Sequence, residues 1–252
     1  MVGAAHMADA VERARRMPQL AVGLHVVLVR GRPVLPVQSI PDLVAPDGEF
    51  RDNLFTAGLS FFFRSEVQRQ LEAEIRAQFE TFQSTGLRLD HANCHNHLHL
   101  HPSVLEFILK IGRDHGLTAV RLPSEPFLPS WHAAGEGFAG RLSYRAALSP
   151  WTKVVATRLR RAGIAYNDHL FGMFDSGQMT AERIRRLIPA LPEGVSELHL
   201  HPAIDDANPD SRATGYSHVE EFEALIDPTV RAAFTQSNIE RIAFRDLARR
   251  PR

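Results

Sequence analysis

Short apolar runs alternate with amphipathic helical stretches along most of this chain, and that alternation constrains its fold more than any other feature. LAVGLHVVLV at 20–29 is apolar throughout apart from one histidine, the pattern of a strand buried on both faces. The histidine-bearing segment from Leu89, TAVRLP at 118–123, GVSELHLHP at 194–202 and IERIAF at 239–244 also read as strands. Helical patterns lie between them. Residues 4–16 form one that stops before Pro18. A longer helix from Ser65 to Gly86 puts Val67, Leu71, Ile75, Phe79 and Phe82 on one face, and Ser65 and Gln68 have the spacing of a capping box. PSVLEFILKIGRDHG opens on Pro102 and stops at Gly116. Further helices are predicted near 150–162, 180–190 and 218–226, with a Pro- and Gly-rich loop over 30–54 and an irregular excursion over 124–149. This order predicts successive β-α units around a mainly parallel sheet.

The length of 252 residues suits one large α/β domain or two small ones, and the adopted reading is a single domain over 1–252. Lys plus Arg equals Asp plus Glu at 29 each, so no bulk field recruits nucleic acid or an anionic membrane. The one cysteine, Cys94, excludes an internal disulfide framework and suits a reducing compartment. The longest apolar run is too short to span a bilayer, and the first residues lack the pattern of a secretory signal. A cytoplasmic location is therefore the expectation.

LDHANCHNHLHLHPSV, running from Leu89 to Val104, holds five of the chain's 13 histidines. On a strand, Asn93, His95, His97 and His99 share one face, while Cys94, Asn96, Leu98 and Leu100 take the other. His95 and His99 would then have Cα atoms about 13 Å apart. One ion with metal–nitrogen bonds of about 2.1 Å engages at most two adjacent members of that row. His25 sits mid-strand in GLHVVL, and His199 and His201 near a strand end in ELHLHPA. Imidazoles gathered at the carboxyl ends of parallel strands would form a divalent-metal site with a histidine to spare for proton transfer. The plainer alternative for His25, a hydrogen-bonded core residue, stays open, as does a structural role for His199 and His201. His91 and His101, flanking the run, read as solvent-facing or capping. Cys94 lacks the surroundings of a nucleophile, and neither a phosphate loop nor an HExxH motif occurs. FFFR at 61–64 reads equally as core or as part of a lid.

Taken in order, AVGLHVVLVRGRPVLP (21–36), LEAEIRAQFETF (71–82), HANCHNHLHLHP (91–102), AVRLPSEP (119–126) and ELHLHPA (197–203) resemble the YdjC-like carbohydrate deacetylase family. The likeness is strongest to its hopanoid-biosynthesis-associated branch, HpnK, and covers essentially the whole chain. The resemblance implies an α/β fold built as a distorted (β/α) barrel, like that of the polysaccharide deacetylases, with a divalent ion (Mg or Zn) at its mouth. It places metal ligation on His25 and His95, the general acid on His201, and substrate contacts on His97, His99 and Arg121. Glu74 and Gln78 match recurring helix positions to which no chemical role attaches. The implied reaction removes an N-acetyl group from an amino sugar, here an N-acetylglucosaminyl headgroup on a hopanoid lipid, and a homodimer is the implied assembly.

One departure stands out. The family's opening β-α-β segment, whose Asp-Asp-Phe-Gly motif supplies a third ligand and the catalytic base, has no counterpart here, and the pair Asp205-Asp206 is followed by Ala. The expectation is an impaired chain as written, either from a start codon that lies upstream or from degeneration. A non-catalytic metal- or sugar-binding remnant and a different metallohydrolase, such as a phosphoesterase, are the competing readings.

Overall fold

A computed structural model describes residues 1–205 and 215–248. Asp206 lies outside the described residues. The helices in the first half of the chain are α1 (Met7–Arg16), α2 (Leu54–Phe63), α3 (Ser65–Ser84) and α4 (Pro102–Asp114). They are followed by α5 (Phe127–Ala134), α6 (Phe138–Arg161), α7 (Ala181–Leu187), α8 (His218–Ile226), α9 (Pro228–Gln236) and α10 (Phe244–Leu247). The strands are β1 (Val22–Val26), β2 (Leu89–Cys94), β3 (His169–Phe171) and β4 (Ser196–Leu198). These elements divide into two compact units. Unit 1 comprises Met1–Arg121, Val155–Tyr166 and Ile242–Arg252; unit 2 comprises Leu122–Val154 and Asn167–Arg241.

Unit 1 is built on the parallel pair β1–β2, in which His25 lies opposite Asn93 and Val26 opposite Cys94. Parallel bridges from Ala92 to Val120 and from Ala119 to Ala165 carry the pairing onward. Leu24 and Val26 are fully buried on one face of β1, whereas Gly23 and His25 on the other face are only half-buried, so the strand is not covered equally on both faces as its apolar run predicted. The predicted apolar face of α3 is also buried, from Val67 through Phe82. Each such side chain contributes about 1.5–3 kcal/mol by leaving water. Gly86 ends the helix as expected, with a positive φ of 71°.

The N-terminus of α3 differs from its predicted form. Arg64 is the N-cap, and no side chain caps there. Gln68 instead reaches back to the carbonyls of Phe61 and Phe62, at 3.1 and 3.0 Å, which α2 leaves unsatisfied at its own C-terminus. Helix α2 itself is an addition to the expected loop-and-FFFR reading, capped by Asn53, which accepts from the N–H groups of Phe55 and Thr56. It divides the aromatic run, because Phe61 is buried while Phe62 and Phe63 are exposed.

A second face of α3 gives Glu74 and Gln78 the role that the sequence withheld. Glu74 accepts hydrogen bonds from the backbone N–H groups of Val34 and Leu35 (2.9 and 3.0 Å) and from Gln78 (2.8 Å). Gln78 bonds both backbone groups of Val27, and Gln70, one turn earlier, bonds Asp42. This row of polar side chains fastens the loop after β1. Replacing Glu74 by Ala should cost about 2 kcal/mol in urea unfolding, because donors are left unsatisfied. Burial raises the Glu74 carboxyl above its ordinary 4.5, against the pull of those three donors. The folded state therefore holds its proton more tightly than the unfolded state. The stability it contributes is present below 4.5 and declines as pH rises through the elevated value. Glu74→Gln should remove that segment of the stability–pH curve.

In unit 2, β3 and β4 pair in parallel, with His169 opposite Ser196 and Phe171 opposite Leu198. Phe171, Met179, Ile184, Leu187, Ile188, Ala224 and Val230 form its apolar cluster. Gly172 follows β3 at φ 92°, and a Cβ there would sit 2.3 Å from the His199 carbonyl oxygen, so only glycine permits this approach. The irregular excursion predicted over 124–149 is mostly helical, in α5 and the first part of α6. Phe127, Trp131 and Phe138 pack ring against ring there and supply an apolar contact that no helical period announced. The strand expected over 194–202 is limited to β4. Residues 239–243 are neither strand nor helix, because no neighbouring ladder receives them among the described residues. Among the described residues, no helix is long and apolar enough to cross a membrane.

Candidate functional site

The register of β1 against β2 sets the site. His25 and Asn93 are partners across the ladder, so their side chains project from the same face. His25 Nδ1 lies 2.5 Å from Asn93 Oδ1. His25 Nε2 lies 3.4 Å from His95 Nδ1, and the two rings stand nearly perpendicular at 81°. Two nitrogens each about 2.1 Å from one tetrahedral ion would be roughly 3.4 Å apart, so this pair fits two adjacent vertices of a single coordination shell. Burial pulls the His25 imidazole down to about 3, opposed by the Asn93 hydrogen bond and reinforced by His95. Burial, with Arg30 nearby, also lowers His95. Both rings are therefore neutral at physiological pH, the form that donates to a metal. Among the described residues no third His, Cys, Asp or Glu joins them in a metal-holding group.

The strand does not continue through the histidine run. It ends at Cys94, level with the end of β1, beyond which no ladder remains to hold extended backbone. His95–Leu100 instead forms tight turns in which Asn96 and His97 take left-handed backbone angles, with φ of 51° and 53°. Such angles cost a non-glycine residue roughly 1–2 kcal/mol, least for asparagine. The shared face expected for His95, His97 and His99 is thereby lost. His99 is wholly buried beside Arg121, whose charge adds to burial in lowering the ring to about 3. A substrate-facing His99 is thus not what this structure presents. The His97 and His99 ring centroids are 6.1 Å apart. Arg121 is also buried, at 7% exposure, and its backbone N–H bonds the Ala92 carbonyl. Burial drives the Cys94 thiol far above its usual range, which agrees with its expected inertness.

The flanking histidines are not solvent-facing caps. His101 Nε2 meets the Gly58 carbonyl at 3.1 Å, and its ring stands edge-on to Phe61 and Phe62. His91 is bonded on both ring nitrogens, to Asp90 at 2.9 Å and to Asn93 at 3.2 Å. No local motif singles out Asp90, His91 and Asn93; the one available clue was Asn93 sharing a strand face with His95.

His201 belongs to unit 2, three residues beyond β4. Its backbone N–H is held by the buried Glu221 carboxylate, which also accepts from Met179 N–H. Its ring centroid lies 4.4 Å from that of His199 and 5.0 Å from that of Tyr216, whose hydroxyl bonds Ser176. A cleft of about 430 Å³ between 32–37 and 47–49 contains none of these histidines.

Parallel β-α architecture, with a half-buried pair of imidazoles at the carboxyl ends of adjacent strands, makes this an α/β protein. Comparison with known proteins identifies its family. Residues 1–236 match the profile described as YdjC-like protein, and the chain belongs to that family. It is 28% identical to the mouse carbohydrate deacetylase over 96% of this chain and 83% of that protein. It is 29% identical to the carbohydrate deacetylase of Geobacillus stearothermophilus, over 94% of this chain and 82% of that one. A third protein of that name, from Brevibacillus brevis, is 36% identical over 49% of this chain and 46% of its own length. The fold is similar to a crystal structure from Enterococcus faecalis described as a cellobiose-phosphate cleavage protein. The TM-score is 0.68 at 22% identity, covering 98% of this chain and 85% of that one.

Proposed function

We propose that this chain is a metal-dependent carbohydrate deacetylase that removes the N-acetyl group from an amino sugar. The observation that carries the reading is the 3.4 Å approach of His25 Nε2 to His95 Nδ1, with the far nitrogen of His25 engaged by Asn93. Relatives named carbohydrate deacetylase supply the reaction class. A divalent ion, Mg or Zn, bound by His25 and His95 would supply Lewis-acid polarisation of the acetamide carbonyl. Water adds to that carbonyl as the C–N bond breaks, and by the family resemblance His201 would give the proton to the leaving amine nitrogen, so that acetate and the free amine are the products. Arg121 and His97 orient the sugar, and the buried His99 supports them. The substrate proposed is an N-acetylglucosaminyl headgroup on a hopanoid lipid, with exposed Phe55, Phe62 and Phe63 offering apolar surface on α2.

The test measures acetate release from N-acetylglucosaminyl substrates, free and lipid-linked, alongside phosphate release from sugar phosphates. Acetate release that falls by about 10²–10⁴ in His201→Ala, with metal content unchanged, is the expected result. Phosphate release in place of acetate release would transfer the site to a phosphoesterase. Sugar or metal binding without turnover would make the chain a binding protein.

A further inference from the structure

We propose that Asp90, His91 and Asn93 form a hydrogen-bonded chain that holds His25 in its Nδ1–H tautomer, leaving the Nε2 lone pair facing His95. These are positioning residues, since each acts on the candidate metal ligand through the next. Four contacts in series join five side chains: Asp90 Oδ2 to His91 Nδ1 at 2.9 Å, His91 Nε2 to Asn93 Nδ2 at 3.2 Å, Asn93 Oδ1 to His25 Nδ1 at 2.5 Å, and His25 Nε2 to His95 Nδ1 at 3.4 Å.

The chain has a direction because its far end is an anion. The Asp90 carboxylate also accepts the Arg245 backbone N–H at 3.0 Å. Burial works to raise its pKa, but the His91 and Arg245 hydrogen bonds and nearby positive charge bring it below the usual carboxylate range. An ionised carboxylate only accepts, so His91 Nδ1 carries a hydrogen, and His91 Nε2 faces the Asn93 amide nitrogen, which only donates, so Nε2 is the acceptor of the ring. With its amide N–H₂ on His91, Asn93 turns its carbonyl oxygen toward His25. That oxygen can only accept, so His25 Nδ1 carries the hydrogen and Nε2 does not. A reversed Asn93 amide would place N–H against the His25 ring and protonate the nitrogen that faces His95.

The ring at the centre of this chain sits in a fitted place. A Cβ on Gly23 would come within 2.6–2.8 Å of three His91 ring atoms, so β1 leaves its side chain out where the imidazole lies. Gly23 also falls at the register shift between Val22 and Leu24. Phe244 of α10 covers the His91 ring, with centroids 4.3 Å apart and planes inclined by 30°. Elements β1, β2 and α10 therefore converge on a histidine that reaches the candidate ligand His25 through Asn93.

The tautomer stands on this geometry alone; its consequence for metal rests on the function proposed above. Nitrogen-15 correlation spectra of histidine in the metal-free, full-length protein read the tautomer directly, and zinc titration against a competing chelator reads affinity. Wild type should show His25 as a single Nδ1–H tautomer. His91→Phe keeps the ring stack and removes both hydrogen bonds. It should give a mixture of His25 tautomers and about tenfold or greater loss of zinc affinity. Adding Asn93→Asp to that variant should restore the single tautomer, because a carboxylate presents acceptors in either orientation. Should His91→Phe fail to fold, Gly23→Ala crowds the same ring and should shift the tautomer in the same direction. A wild-type His25 protonated at Nε2, or a tautomer indifferent to these variants, overturns the proposal. The expected tautomers without zinc binding would leave the proposal standing and remove the metal reading instead.

Discussion

Alanine in place of His25 or His95 should lower zinc affinity by about 100-fold or more and remove metal-dependent turnover with it. The size of the effect follows from the composition of the site. Among the described residues no third His, Cys, Asp or Glu joins the two imidazoles in a group that could hold a metal, so each variant leaves one neutral donor where there were two. The loss should appear in His95→Ala as fully as in His25→Ala, although His95 makes fewer hydrogen bonds. That symmetry separates ligation from packing: a histidine that merely filled the core would show its effect in urea unfolding rather than in metal titration. Unchanged zinc affinity in either variant would refute the ligand assignment.

Asp175→Ala should destabilise unit 2 by about 3–5 kcal/mol, the largest stability change expected of a single substitution here. Arg141 Nη1 and Nη2 grip the Asp175 carboxylate at 2.7 and 2.5 Å, and Arg183 binds the same carboxylate. Both Arg141 and Asp175 are buried, and the guanidinium also lies 4.5 Å over the Phe174 ring. Removing the anion leaves the Arg141 charge in low dielectric with only the Ser130 hydroxyl and the Glu136 carbonyl as partners. Asp175→Asn, which keeps an acceptor, should cost less. Trp131 and Trp151 are the only tryptophans and both lie in unit 2, so their fluorescence in urea reports this transition. A shift within about 0.5 kcal/mol of wild type would show that the pair contributes nothing net.

Much of the scaffold was legible from local pattern. The apolar stripe of α3, Pro102 at the start of α4 and the apolar run around β1 are each decided by residues a few positions apart. The elements that were misread depend on distant partners. The histidine run reads as strand by alternation, yet extended backbone needs a ladder, and β1 ends level with Cys94. The packing of Phe127, Trp131 and Phe138 supports helices where composition suggested irregular chain. Glu74 and Gln78 could be noticed but not explained, because their partners lie on a loop about 40–50 positions earlier.

The same division runs through the site. Amino-acid order alone determined that His25 would sit on a short strand and that no alternating row of three could hold one ion; His25 and His95 became the ligand candidates through the family resemblance. Tertiary structure decided which groups surround them. The parallel register sets His25 opposite Asn93 across 68 positions of sequence, and a shift by one residue would turn either side chain to the other face. It also decided that His91, a flanking residue by pattern, lies in the space left by Gly23 and connects Asp90 to Asn93. The physical reason is range. Periodicity and spacing record which way each residue faces along its own element, whereas hydrogen bonds, tautomers and ligand geometry depend on ångström-scale distances between elements that only packing brings together.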